Sequence, residues 1–124
     1  MSNPLSGLRM LVVEDEMLVL MNTEDMLADL GCESVAAATV EQALALIDTE
    51  PLDAAMLDMN LDGDKPFAVA DALASRDVPF LFATGYVGDD VRDGYRDRPL
   101  LQKPFRPADL ADALTSLLAE KQVN

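Results

Sequence analysis

The stretch Leu52-Asp53-Ala54-Ala55-Met56-Leu57-Asp58-Met59-Asn60 decides how this chain is read. Its centre is a short apolar run without alternation, and the run ends on a carboxylate. Strands buried on both faces read this way, which puts Asp58 at a strand's carboxyl end. Three other apolar runs end in the same manner. Met10-Leu11-Val12-Val13 precede Glu14-Asp15, Phe80-Leu81-Phe82-Ala83 precede Thr84, and Pro99-Leu100-Leu101 come just before Lys103. If the four runs are parallel strands of one sheet, their ends gather three carboxylates, a hydroxyl and an ammonium at one edge.

The rest of the chain supplies the helices between such strands. Residues 1 to 8 read as a lead-in, 9 to 13 as the first strand, and Glu16 to Leu30 as the first helix. Leu20, Leu27 and Leu30, with Val19, Met21 and Met26, give that helix its apolar face, and Gly31 is a natural stop. Ser34 to Ala37 is a weak second strand. Thr39 and Gln42 form a capping-box pattern for a helix running to about Asp48, with Ala43, Leu44 and Ile47 inward. Residues 53 to 57 are the third strand and 59 to 65 a loop. Of the methionines flanking Asp58, Met56 is assigned to the core and Met59 to the mouth of the site.

Pro66 suits the first turn of a third helix whose period is carried by Phe67, Ala70, Leu73 and Ala74. Val78 to Ala83 is the fourth strand. The stretch 85 to 98, with three glycines among charged residues, reads as a short or mobile fourth helix. Pro99 to Gln102 is the fifth strand. The last helix starts near Pro107 with Leu110, Ala111, Leu114, Leu117 and Leu118 as its stripe. Alternating strands and helices imply parallel pairing with right-handed crossovers. The expected fold is a flavodoxin-like doubly wound sheet of order 2-1-3-4-5 with five helices, its ligands bound beside the switch between strands 1 and 3. Glu14, Asp15 and Asp58 would meet there.

Composition bounds the function. The 124 residues suit one domain, expected over residues 1 to 124. A net charge of -14 lacks the basic footprint that nucleic acid requires. The chain has no histidine, which removes Ser-His-Asp and Cys-His catalysis and a phosphohistidine relay within it. No lysine follows a Gly-x-x-x-x-Gly run, so no phosphate-binding loop of that type is present. One cysteine, Cys32, allows no internal disulfide and reads as a small buried residue. No apolar run reaches the roughly 18 residues of a membrane span, and no leader segment is visible. A cytoplasmic protein is expected.

Three carboxylates close together repel, and a hard cation removes the conflict. Mg²⁺ takes oxygen ligands from one or two carboxylates and from phosphate. A carboxylate beside it can act as a nucleophile on phosphorus. The transferred group spreads charge over three oxygens, which a metal, an ammonium and a hydroxyl can stabilise. Asp58, Lys103 and Thr84 fit the roles of nucleophile, ammonium and hydroxyl.

With these residues in order, the chain resembles a bacterial response-regulator receiver domain over nearly its full length. The matching features are the acidic pair Glu14-Asp15, the phosphoacceptor Asp58, the switch residue Thr84 and the Lys103-Pro104 pair. They are separated by 44 residues from Glu14 to Asp58, 26 to Thr84 and 19 to Lys103. The resemblance implies Mg²⁺ as cofactor, with the backbone carbonyl of Asn60 as a further ligand, and a cis Lys103-Pro104 peptide. It implies a phosphohistidine donor on a sensor kinase or phosphotransfer protein, and a partner-binding face around the fourth strand, residues 85 to 98, the fifth strand and the last helix. Tyr86, Leu100, Pro104 and Phe105 lie in that face. Two departures stand out. Thr84 to Lys103 is short for the family, and Leu100 occupies the position where receivers usually carry an aromatic switch residue. Phe82-Ala83-Thr84-Gly85-Tyr86 with Lys103-Pro104-Phe105 resembles a subgroup bearing a Phe-Ala-Thr-Gly-Tyr motif, many of whose members stand alone, and in it Tyr86 could take over the switch role. The expected protein is a monomer or a phosphorylation-dependent dimer, with no enzymatic activity beyond self-phosphorylation and autodephosphorylation at Asp58.

Other readings compete. One is a phosphate-independent interaction module on the same fold. Another is a phosphatase of the Asp-x-Asp type, but the second acid is replaced by Asn60, which cannot transfer a proton. Asp58 to Gly63 also matches the start of an EF-hand loop, but its twelfth position is Val69 and Pro66 interrupts it. Singly, Thr84 could merely end a strand and Lys103 could be a surface charge; the argument rests on their occurring together.

Overall fold

The computed structural model describes residues 5–59, 61, 66–85 and 98–123, with the backbone alone for 120–123. The strands are β1 (Arg9–Val13), β2 (Glu33–Ala37), β3 (Ala54–Asp58), β4 (Phe80–Thr84) and β5 (Leu100–Gln102). The helices are α1 (Met17–Asp29), α2 (Val40–Thr49), α3 (Phe67–Ser75) and α4 (Pro107–Val123). All strands pair in parallel in the order β2-β1-β3-β4-β5. Four helices fall among the described residues; the further helix expected over 85–98 lies outside them, as do Asn60, Tyr86 and most of the 59–65 loop.

The three central strands explain why their sequences lack alternation. Both faces of the sheet are covered, so each strand feeds two cores. Met10, Val12, Met56, Leu81 and Ala83 face Leu20 and Leu27 of α1 and Leu110, Leu114 and Leu117 of α4. Leu11, Val13, Ala55, Leu57, Phe80 and Phe82 face Ala43 and Ile47 of α2 and Val69, Ala70 and Leu73 of α3. Phe82 stands edge-on to both Phe67 and Phe80, at centroid distances of 6.5 and 5.6 Å, an arrangement favoured by the ring quadrupoles.

Local chemistry sets the helix ends. Thr39 accepts from the Gln42 N–H at 3.1 Å, and the Gln42 side chain accepts from the Ala38 N–H at 2.8 Å, so both halves of the capping box form, with the return bond one residue early. Asp109 does the same at α4, accepting from the Arg106 N–H at 3.0 Å. That bond and the Arg106 side chain hold its carboxyl below the usual carboxylate range. Gly31, at φ 86, closes α1 with Gly31 and Cys32 N–H groups bonded to Ala28 and Leu27 carbonyls. α3 ends in the same motif, with Asp77 in the left-handed position at φ 58. The Val78 N–H is spent on Leu73 there, so β4 begins at Phe80, two residues later than the apolar run suggests. Cys32 is buried and donates its S–H to the Leu5 carbonyl at 3.2 Å.

Two further expectations are corrected. Met21 is 52% exposed and not on the inner face of α1, where Thr23 takes a buried place and turns its hydroxyl back on the Val19 carbonyl. Met59 does not face the mouth of the site. It is buried with Ala55 and Leu57 on the α2–α3 side, because the strand's alternation runs past Asp58. The large apolar side chains that remain exposed include Met17, Leu18 and Met21, clustered at the start of α1.

This division predicts contrasting costs. Leu114→Ala empties a fully buried site and should lower unfolding free energy by about 2–5 kcal/mol. Leu18→Ala on the exposed face should stay within about 0.5 kcal/mol of the wild type. Urea unfolding of the two variants measures both.

Candidate functional site

The sheet's carboxyl edge is built by backbone bonds that extend past the strands. The Glu14 N–H donates to Ala37 at 3.0 Å, so β1 delivers its acidic pair while still attached to β2. The Met59 N–H donates to Ala83 at 2.9 Å, which ties the end of β3 to β4 just after Asp58. The Lys103 N–H donates to the Thr84 carbonyl at 2.7 Å, which fixes the lysine's backbone to the last residue of β4. The Lys103-Pro104 peptide is cis, as the sequence comparison implied.

These anchors bring the expected side chains together. One carboxylate oxygen from each of Glu14, Asp15 and Asp58 lies within 4.8 Å of the others. Glu14 and Asp58 are buried, and Asp15 is exposed. The Lys103 ammonium sits between the two buried acids, 2.6 Å from Glu14 Oε1 and 3.2 Å from Asp58 Oδ1. The other Glu14 oxygen accepts from the Glu16 N–H at 3.2 Å, where Glu16 caps α1. Thr84 is buried at the end of β4, one strand from Asp58. Leu100 is 37% exposed at the sheet's edge, Pro104 is exposed, and Phe105 is half-buried against the core beneath α4.

Burial alone would lower the Lys103 pKa. The hydrogen bond to Glu14 and the charges of Asp58 and Glu14 outweigh it, and the pKa stands above the ordinary lysine value of 10.5. The donor set fits a hard divalent cation: three carboxylates, two of them shielded from water, with no sulfur or imidazole. Val69, the twelfth position of an EF-hand register, is buried inside α3 and holds no ligand oxygen there.

Two features escaped the sequence reading. One is the Glu16 N–H bond that orients Glu14; an acid two residues before a helix's N-cap is its only local sign. The other is a cleft of about 570 Å³ beside Asp58 and Lys103, lined by apolar side chains such as Leu18 and Phe105 and by the polar Glu16, Asn22 and Thr23. Its signal was Leu18, a large apolar residue off the helix's inward period.

Fold and site together define a small doubly wound α/β domain with an acidic, cation-accepting edge at its topological switch point. The chain belongs to the response regulator receiver domain family of two-component signalling, whose sequence profile matches residues 10–115. It is 31% identical over 97% of its length to the sensor protein TorS of Escherichia coli K12. It is 30% identical over 90% of its length to the phyllosphere-induced regulator PhyR of Methylorubrum extorquens AM1. The chain spans 14% of TorS and 44% of PhyR. The solution structure of SdrG from Sphingomonas melonis Fr1 superimposes with a TM-score of 0.82 at 48% identity, covering 95% of this chain and 99% of that one. A BeF3-activated conformation of SdrG, from Pseudomonas melonis Fr1, does so at 0.77 and 47%, covering 91% and 98%.

The raised Lys103 pKa has a pH signature. A group whose folded pKa lies above its unfolded value contributes stability below the unfolded pKa and loses it as pH rises through the folded one. The unfolding free-energy difference between wild type and Lys103→Met should therefore be flat from about pH 7 to 9 and shrink only above the ordinary lysine range. A difference that already shrinks across that neutral-to-mildly-alkaline window would contradict the pairing. Urea titrations at stepped pH measure it.

Proposed function

We propose that the chain is a single receiver domain, residues 1–124, that accepts a phosphoryl group on Asp58 in a Mg²⁺-dependent reaction. The observation that carries this reading is the Lys103 ammonium held between Glu14 and Asp58 inside a three-carboxylate cluster. Glu14, Asp15 and Asp58 would hold the cation. Asn60, outside the described residues, would add its backbone carbonyl. Mg²⁺ bound there would neutralise charge on the phosphoryl oxygens.

The chain's own residues do the remainder. An Asp58 carboxylate oxygen attacks phosphorus, and the bond from phosphorus to the donor atom breaks. Lys103, already within reach of Asp58, follows the charge onto a phosphoryl oxygen. Thr84, at the end of the neighbouring strand, offers its hydroxyl to another. Burial of Asp58 keeps bulk water from competing with the donor.

The donor is a phosphohistidine on a sensor kinase or phosphotransfer protein. Phosphorylation then shifts the population between two surfaces read by a protein partner. The partner face comprises Leu100, Pro104, Phe105 and Tyr86, with Tyr86 in the switch role that an aromatic at position 100 would otherwise fill. The protein works in the cytoplasm, as a monomer or a phosphorylation-dependent dimer, and catalyses nothing beyond phosphorylation and dephosphorylation of Asp58. Support for a phosphoryl-competent site comes from the BeF3-activated state of SdrG, since beryllofluoride imitates a phosphoryl group on a carboxylate. No helix among the described residues is long and apolar enough to cross a membrane.

Intact mass after incubation with acetyl phosphate tests the reading. A gain of one phosphoryl group with Mg²⁺, abolished by EDTA and by Asp58→Ala, is the expected result. An unmodified protein that also fails to bind beryllofluoride would point to a phosphate-independent interaction module.

A further inference from the structure

The charge of the chain is unevenly placed. Residues 10–64 carry fourteen Asp and Glu and no Lys or Arg, while the remaining nine acids are matched by nine Lys and Arg, so the net charge of -14 falls on that segment. It contains β2, which closes one side of the sheet. The Glu33 N–H donates to the Leu8 carbonyl and the Ala37 carbonyl accepts from the Glu14 N–H, so residues 33, 35 and 37 turn their backbone groups toward β1. By the strand's alternation Ser34 and Ala36 turn theirs outward, and among the described residues no strand meets them. The row stops at Ala38, whose N–H donates to the Gln42 side chain at 2.8 Å. Ala36 is exposed, and Ser34 and Val35 are half-buried. Native sheets blunt an open edge with proline or lysine. β5, at the opposite side of the sheet, follows this rule, with Pro99 before it and Lys103-Pro104 after it. β2 carries neither residue.

We propose that the outer edge of β2 docks an extended, basic segment of a partner protein, which adds to the sheet as a sixth strand. Main-chain bonds to Ser34 and Ala36 hold the segment, and the small side chains at both positions let its backbone approach. Glu24, whose carboxylate accepts from the Ser34 hydroxyl at 3.4 Å, flanks the edge from α1. Glu33 opens the strand, and Glu41 lies in the first turn of α2 just past its end. Lysine or arginine side chains on the incoming strand meet these acids. Charge complementarity selects this occupant over a second copy of the chain, since two edges of the same negative sign repel. The edge lies two strands from Asp58 and across the sheet from the face around β4 and β5, so docking there does not depend on the phosphoacceptor.

The probe is a short peptide alternating lysine with valine, titrated into ¹⁵N-labelled protein. The Ser34 and Ala36 amide resonances should shift together as it binds. Ala36→Pro removes an outward N–H that the β1 ladder does not use, and N-methylating alternate residues of the peptide removes its own donors; neither changes charge. Each should weaken binding about tenfold. The methylated peptide is read on the wild-type fold, so the test stands even where Ala36→Pro unfolds. Glu33→Lys, which keeps every backbone group, should also weaken binding, and a peptide with glutamate in place of lysine should not bind. Absence of shifts at Ser34 and Ala36, or binding unmoved by both Ala36→Pro and N-methylation, would overturn the edge as the docking site. Concentration-dependent shifts of the same two amides without peptide would make a second copy the occupant and overturn the basic partner.

Discussion

The site rests on one electrostatic arrangement, a lysine ammonium shared by two buried carboxylates. Removing Glu14 and Asp58 from water is expensive, and the cost is offset only where an opposite charge is close and well aligned. Lys103 meets that condition at 2.6 and 3.2 Å. Asp15, exposed beside them, keeps the cluster net negative and open to a cation. The site is thus neither a closed salt bridge nor a bare acidic patch. It is an incomplete neutralisation, stable enough to fold and unsatisfied enough to bind.

The sheet makes this arrangement compulsory. Glu14 is held by β2, Asp58 by β4 and Lys103 by β4's last carbonyl, each through a backbone bond one residue beyond or beside the strand end. The three backbone positions therefore cannot drift apart without breaking the ladder. The two cores on opposite faces keep the central strands from tilting, so rigidity at the site is inherited from burial that has no chemical role. At the edge, β5 is short and partly exposed.

Much of this was legible because parallel strands covered on both sides leave an unambiguous trace. Val12-Val13 before Glu14, Leu57 before Asp58 and Ala83 before Thr84 each mark a strand end with the polar residue it presents. Capping residues were equally plain at Thr39 and Gln42. What escaped notice was set by contacts remote in sequence or by positions that break a period. The Lys103–Glu14 pair spans 89 residues and follows only from the fold. Asp77 takes a left-handed conformation that glycine would have advertised. Met21 belongs to the helix's composition but not to its inward face, and Leu18, off the apolar stripe, carries no periodic signal of the cleft it lines. Met59 went astray because alternation in β3 continues one step past the residue that seems to end it.

Lys103 partly neutralises the cluster in the absence of a cation, so the ammonium and a cation draw on the same carboxylate oxygens. Calorimetric titration of Mg²⁺ into wild type and Lys103→Met tests it directly. Mg²⁺ should bind several-fold more tightly to the variant, and phosphoryl uptake should be slower. Mg²⁺ affinity that is unchanged or weaker in the variant would contradict it.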